Sequence, residues 1–200
     1  MHATLSSSIV DSNNTAFKLP CRNPSASSGN VTRSDPTRRK WLKPDLPYLK
    51  VNSDASLKNC GTWGLGAIIR NENGLSMAAA TWNLDGFDDV ATTEAAAILH
   101  TMKLARDCGF RNMIFESDSE VVVRLLQRED RNHRSYLGLM VREMLCLRND
   151  FDSCCFSFSH RSTNGLTHSL AQLAHSAPNK VWIEDVPQAI TSLYSREILY

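Results

Sequence analysis

Leu49 and Val51 alternate with Lys50 and Asn52 in YLKVNSDAS, the two-residue period of a half-buried strand, and predict a strand over residues 48–54. Next, WGLGAIIRNENGLSMAAATWN holds two apolar stretches joined at Asn73-Gly74, a pair that tolerates positive φ, and predicts a hairpin. In ATTEAAAILHTMKLARDCG the period lengthens. Ala95, Ile98, Leu99, Met102 and Ala105 form a helical stripe, Thr92 or Thr93 caps its start, and Gly109 ends it. The short apolar run in NMIFESD predicts a strand buried on both faces. SEVVVRLLQRE and SYLGLMVREMLCLRND predict two helices and FDSCCFSFSH a strand. GLTHSLAQLAHSA predicts a last helix, with Leu166, Leu170, Leu173 and Ala177 on one side. The end, VWIEDVPQAITSLY, reads as a docked tail within residues 179–200.

The resulting order is strand, hairpin, helix, strand, helix, helix, strand, helix. A strand–helix–strand passage implies a parallel pair with a right-handed crossover, while the hairpin is antiparallel. The expected class is therefore α/β, a mixed five-stranded sheet with helices packed on both faces, over residues 41–178.

Composition sets the ends and the setting. Residues 1–40 are rich in Ser, Asn, Thr and Pro without periodicity and read as a disordered tail. That tail is Ser-rich and acid-poor, as organelle transit peptides are, and its TRRK serves either as a weak nuclear signal or as a solvated linker. No apolar run reaches a membrane-spanning length. The six cysteines show no C-x-x-C pair and no zinc spacing, so they are expected to be reduced residues of an intracellular protein, in nucleus or cytoplasm. The sequons at Asn13 and Asn30 then carry no glycan. Residues 1–40 hold six basic and two acidic residues, so a chain of net charge +1 is acidic over the remainder. A generally basic nucleic-acid binder is excluded, and any attraction to phosphates is local.

Candidate chemistry begins with Asp54, at the predicted end of the first strand. Asp118 lies just past the NMIFES strand. If the two strands are parallel neighbours, both acids emerge at one carboxyl edge of the sheet, where open α/β folds place ligands. Glu94 falls in the first turn of the helix feeding the second of these strands, off the apolar stripe. Each acid alone has an ordinary structural explanation, as a turn former or a helix-start carboxylate. Three at one rim repel one another unless a cation joins them, and an all-oxygen site suits Mg²⁺ or Mn²⁺.

These segments, LKVNSDAS, GLGAIIRNENG, TTEAAA, FESDSEVVV and RSTNGLTHSLAQLA, together resemble type 1 ribonuclease H, in the form found in plant retroelement-derived proteins. The resemblance covers about residues 41–190. It implies a ribonuclease H-like fold that hydrolyses the RNA strand of RNA–DNA hybrids with two Mg²⁺ or Mn²⁺ ions and acts as a monomer. It makes Asp54, Glu94 and Asp118 the catalytic metal ligands. In the family the fourth ligand is usually an Asp in an N-x-x-x-D-x-L-A pattern; here that slot, four after Asn164, holds His168. His168 lies off the Leu166/Leu170/Leu173 stripe, so it faces either solvent or the site. The family's mobile-loop histidine is matched by Phe158, with His160 two residues later as a substitute or an ordinary strand-end residue. Both departures bear on rate rather than on fold.

From residue 111 to 161 every Lys or Arg is an arginine, a residue suited to bidentate phosphate contacts. Arg128, Arg131, Arg134 and Arg161, with Asn164, are the expected nucleic-acid contacts, and intrahelical pairing with Glu120 and Glu129 is the competing role for the arginines of the second helix. Gly61, Gly64 and Gly66 let a backbone approach a groove or simply serve a hairpin edge. The rival to an enzyme is a catalytically weakened nucleic-acid-binding module.

Overall fold

In a computed structural model, residues 40–58, 61–130 and 134–199 are described. Apart from Lys40, the tail expected over residues 1–40 lies outside them, as does Arg131.

Six strands form one sheet: β1 (Leu49–Lys58), β2 (Thr62–Arg70), β3 (Ser76–Asp85), β4 (Asn112–Ser117), β5 (Ser153–Phe158) and β6 (Lys180–Ile183). Their order across the sheet is β5-β4-β1-β2-β3-β6. β1–β4 and β4–β5 are parallel, and the other neighbours are antiparallel. The mixed sheet is as expected, but it has six strands rather than five. β6 comes from KVWI, inside the segment expected to be only a docked tail, and pairs with Ala78–Thr81 of β3. Four residues are too few for a strand period to stand out in sequence.

The helices α1 (Val90–Asp107), α2 (Glu120–Gln127) and α3 (Tyr136–Leu147) cover one face, while α4 (Gly165–Leu173) and α5 (Thr191–Ile198) lie over the other. The larger core joins α1, α2 and α3 to Val51, Leu65, Met113, Phe115 and Phe156. The smaller one joins Ile68 and Ala79 to Leu166, Leu170, Val186 and Ile190. α1 starts earlier than its stripe indicated. Asp89 caps it, accepting a 3.3 Å bond from the Thr92 backbone N–H, while the Thr93 hydroxyl bonds the Asp89 carbonyl. Gly74 (φ +81) closes the β2–β3 turn and Gly109 (φ +76) follows α1, as their positions in sequence indicated.

Two local expectations change. β4 alternates buried Met113, Phe115 and Ser117 with half-buried neighbours, because polar side chains rather than a helix cover its second face. Cys155 is disulfide-bonded, whereas Cys108 and Cys146 carry free thiols, so the cysteines are not all reduced.

The glycines of β2 serve the fold. A Cβ on Gly64 would lie 2.3 Å from the Ala171 carbonyl oxygen, and one on Gly66 2.3 Å from the Ala171 nitrogen. α4 therefore rests on bare backbone. A Cβ on Gly61 would likewise meet the Gly86 carbonyl oxygen at 2.3 Å. All three glycines receive the chain itself rather than a nucleic-acid groove.

Candidate active site

Asp54 sits in the middle of β1, opposite Gly66, and not at the strand end expected from sequence. Its position still works as an edge. β1 pairs with β4 only as far as Asn52–Glu116, while β4 stays paired with β5 to its last residue, Ser117, before the chain turns into α2. Asp54 thus projects beside the carboxyl end of β4, where Asp118 follows Ser117. Glu94, in the first turn of α1, reaches the same place. Oxygen atoms of Asp54, Glu94 and Asp118 lie within 4.8 Å of one another.

Burial makes this cluster electrostatically unusual. Asp54 and Glu94 are 4% and 8% exposed, and Asp118 is half-buried. Burial and the Asp118 charge raise the Asp54 carboxyl from an ordinary 3.8 to about 6, against a lowering by His168. Burial, then Asp54 and Asp118, raise Glu94 from 4.5 to about 9, opposed by the Ala55 N–H and by Arg161. Glu94 Oε2 is buried without a hydrogen-bond partner among the described residues. A buried orphan acceptor beside two further carboxylates is the donor set a hard divalent cation requires, so the residues present fit such an ion.

α4 brings His168 into this group. With α4 seated on Gly64 and Gly66, His168 Nδ1 lies 2.8 Å from Asp54 Oδ2. Of the two orientations left open by sequence, His168 takes the one toward the site. Its Nε2 is 3.1 Å from Gln172 Nε2, one helical turn on. The Gln172 amide N–H donates to the Nε2 lone pair, which leaves the proton on Nδ1 to be donated to Asp54. Sequence reading missed Gln172, although its i+4 spacing from His168 was there to be seen.

Asn164, expected at the nucleic-acid interface, is instead 2% exposed. Its amide donates to the Ser53 carbonyl at 2.9 Å, and its own oxygen accepts from the Thr167 hydroxyl. It therefore fixes the start of α4 against the residue preceding Asp54. His160 accepts from the Ser162 N–H at 3.2 Å and caps the Arg161–Thr163 turn, which gives its ring a local structural role. Phe158 is exposed at the end of β5.

The arginines divide. Arg124 pairs with Glu120, and Arg148 pairs with Glu129 at 2.7 Å. The exposed side chains of Arg128, Arg134 and Arg161 form no ion pair among the described residues. Arg161 is near enough to act on Glu94 electrostatically, so it belongs to the acidic rim.

Three solved structures share this arrangement of elements. RNase H1 from the halophilic archaeon Halobacterium salinarum is 19% identical with a TM-score of 0.60, covering 65% of this chain and 98% of its own. The N-terminal RNase H domain of a Mycobacterium tuberculosis protein, solved as a fusion with maltose-binding protein, is 15% identical with a TM-score of 0.56, at the same coverage. LC11-RNase H1, solved in complex with an RNA/DNA hybrid, is 16% identical with a TM-score of 0.55 and covers 61% of this chain and 92% of its own. At such identities the likeness establishes the fold, which is RNase H-like. No curated protein sequence matches the chain. A family profile described as reverse transcriptase-like matches residues 52–174, from just ahead of Asp54 to just past α4. With more than half its length matched, and with an RNase H-like fold, the chain belongs to the reverse transcriptase-like family.

Proposed function

We propose that this protein is a divalent-metal-dependent endonuclease that hydrolyses the RNA strand of RNA–DNA hybrids. The observation that carries the proposal is the cluster of Asp54, Glu94 and Asp118, whose ligand oxygens lie within 4.8 Å and include a buried orphan at Glu94. Asp54, Glu94 and Asp118 would hold two Mg²⁺ or Mn²⁺ ions, with His168 at the fourth position through the Nε2 lone pair that Gln172 otherwise engages. Bound there, the ions would supply an activated water and stabilise charge on the attacked and departing phosphate oxygens. The chain's own residues orient that chemistry. Asn164 anchors the strand at Ser53, and Arg161 adds positive charge at the rim that favours the ionised Glu94. Arg128, Arg134 and Arg161 would contact phosphates. A-form duplexes expose 2′-hydroxyls in a wide minor groove, so shape rather than base sequence would be read. The hybrid bound by LC11-RNase H1 supports this choice of substrate.

A second reading rests on a specific observation. His168 brings no negative charge, and its Nδ1 is engaged by Asp54 at 2.8 Å. A site so arranged would bind duplexes while cleaving them weakly. One assay separates the two readings: an end-labelled hybrid is incubated with the full chain in Mg²⁺, in Mn²⁺ and in EDTA. Metal-dependent cleavage within the RNA strand is expected. Binding without cleavage in either metal would favour the second reading.

A further inference from the structure

Behind the acidic cluster, the sheet face between α4 and α5 is charged and buried. Lys50, Asn52 and Arg70 are each at most 2% exposed. Lys50 pairs with Glu116 at 2.9 Å. The Asn52 amide donates to Glu116 Oε2 at 3.1 Å, while Asn52 Oδ1 accepts from Arg70 Nη2 at 2.8 Å. Arg70 Nη1 then reaches Glu197 of α5 at 2.7 Å, and its guanidinium stacks on the Trp41 ring at 3.5 Å.

The placement of this chain of bonds is what matters. Asn52 and Glu116 are register partners at the last paired position of β1 and β4. Asp54 and Asp118 each lie two residues further along, at the point where the strands part. Residues two apart on a strand share a face, so Asn52 and Asp54 lie on one side of β1, and Asp118 follows β4 immediately after its last residue. A side-chain bond between Asn52 and Glu116 therefore fixes the separation of two backbones immediately before they deliver two carboxylates to one site. Arg70 holds Asn52 in the orientation that makes this bond, and Glu197 neutralises Arg70. Glu197 also lies beyond residues 52–174, the part of the chain shared with the family.

We propose that Glu197 is a positioning residue for the acidic cluster, acting through Arg70, Asn52 and Glu116. The C-terminal helix is then part of the site's support rather than an appended tail. The inference rests on the reading of Asp54, Glu94 and Asp118 as a metal site, and groups that hold metal ligands in place commonly govern metal affinity by about 10- to 100-fold.

The test is Mn²⁺ binding to the full chain by electron paramagnetic resonance, at a temperature where circular dichroism shows each variant folded. Glu197→Ala and Asn52→Ala should each weaken Mn²⁺ affinity by about 10-fold. Glu197→Gln, which keeps an acceptor oxygen for Arg70, should recover most of it. A role confined to stability would lower the melting temperature of Glu197→Ala and leave Mn²⁺ affinity unchanged. That result in the folded variant overturns the proposal, as does parent-like affinity in Asn52→Ala. If Glu197→Ala does not fold, the Asn52→Ala titration decides alone. A parent protein that binds no Mn²⁺ refutes the metal-site reading itself and the inference with it, so the two failures are distinct.

Discussion

At the scale of single residues, the acidic cluster stores repulsion that a cation would relieve. Asp54 and Glu94 both have raised carboxyl pKa values, so each favours the folded state when protonated. The stability they contribute is complete below about pH 4 and is lost as pH rises through about 6 for Asp54 and about 9 for Glu94. In EDTA the protein should therefore melt at a lower temperature at pH 8 than at pH 5, by the equivalent of a few kcal/mol. Asp54→Asn should raise the pH 8 melting temperature by a few degrees, because Asn keeps an acceptor for His168 and removes a charge. It should also reduce hybrid cleavage at least about 100-fold. A variant that melts like its parent at both pH values would show that the carboxyls are not strained. His168 yields a second expectation at this scale. Neutral imidazole suits Mn²⁺ better than Mg²⁺, so cleavage should be faster with Mn²⁺. His168→Asp should raise the Mg²⁺-supported rate and narrow that preference, whereas His168→Ala should lose activity with both ions. Rates in parallel Mg²⁺ and Mn²⁺ assays check this, and an Ala variant as active as the parent would remove His168 from the ligand set.

Among elements, the decisive contact is α4 on β2. Helix–sheet packing this close needs positions without side chains, and Gly64 and Gly66 supply them where β2 lies beside Asp54. Gly66→Ala places a methyl 2.3 Å from the Ala171 nitrogen, so α4 must move outward. Overpacking of this kind costs about 1–3 kcal/mol. The shift would also stretch the 2.8 Å contact between His168 and Asp54. The expected outcome is a lower melting temperature together with reduced cleavage, measured on the same preparation. An unchanged rate alongside the lower stability would mean that His168 does not depend on the seating of α4.

Over the whole molecule, charge is close to balanced, so the duplex binding proposed above would come from a few local arginines. Arg128 and Arg134 flank the α2–α3 connection and are exposed without ion-pair partners among the described residues. Replacing both with Ala should weaken hybrid binding and lower the slope of log affinity against log salt by about 1 to 2, since each lost phosphate contact releases fewer counterions. Titrations at several salt concentrations measure that slope, and an unchanged one would make these arginines merely solvated. No helix among the described residues is long and apolar enough to cross a membrane.

Local spacing, with the turn and crossover rules, indicated the element order as far as α4, the mixed parallel and antiparallel sheet and, if β1 and β4 are parallel neighbours, the meeting of Asp54, Glu94 and Asp118 at one edge, but it missed β6 and α5. Local patterns did not reveal which side of α4 faces the site, since a residue off the apolar stripe is equally compatible with solvent and with a polar cluster. The contact between α4 and Gly64 and Gly66 decided it, turning His168 to Asp54. Asn164 read as a polar surface residue, yet its bond to the Ser53 carbonyl buries it, a pairing across more than 100 residues that composition does not encode. Lys50 and Asn52 followed the alternation of a solvent-facing side, but α5 and Trp41 close over them, and Glu116, Arg70 and Glu197 satisfy their polar groups. Sequence records which residues are polar; whether a polar residue meets water or a partner depends on segments far away in the chain, and only tertiary structure brings those segments together.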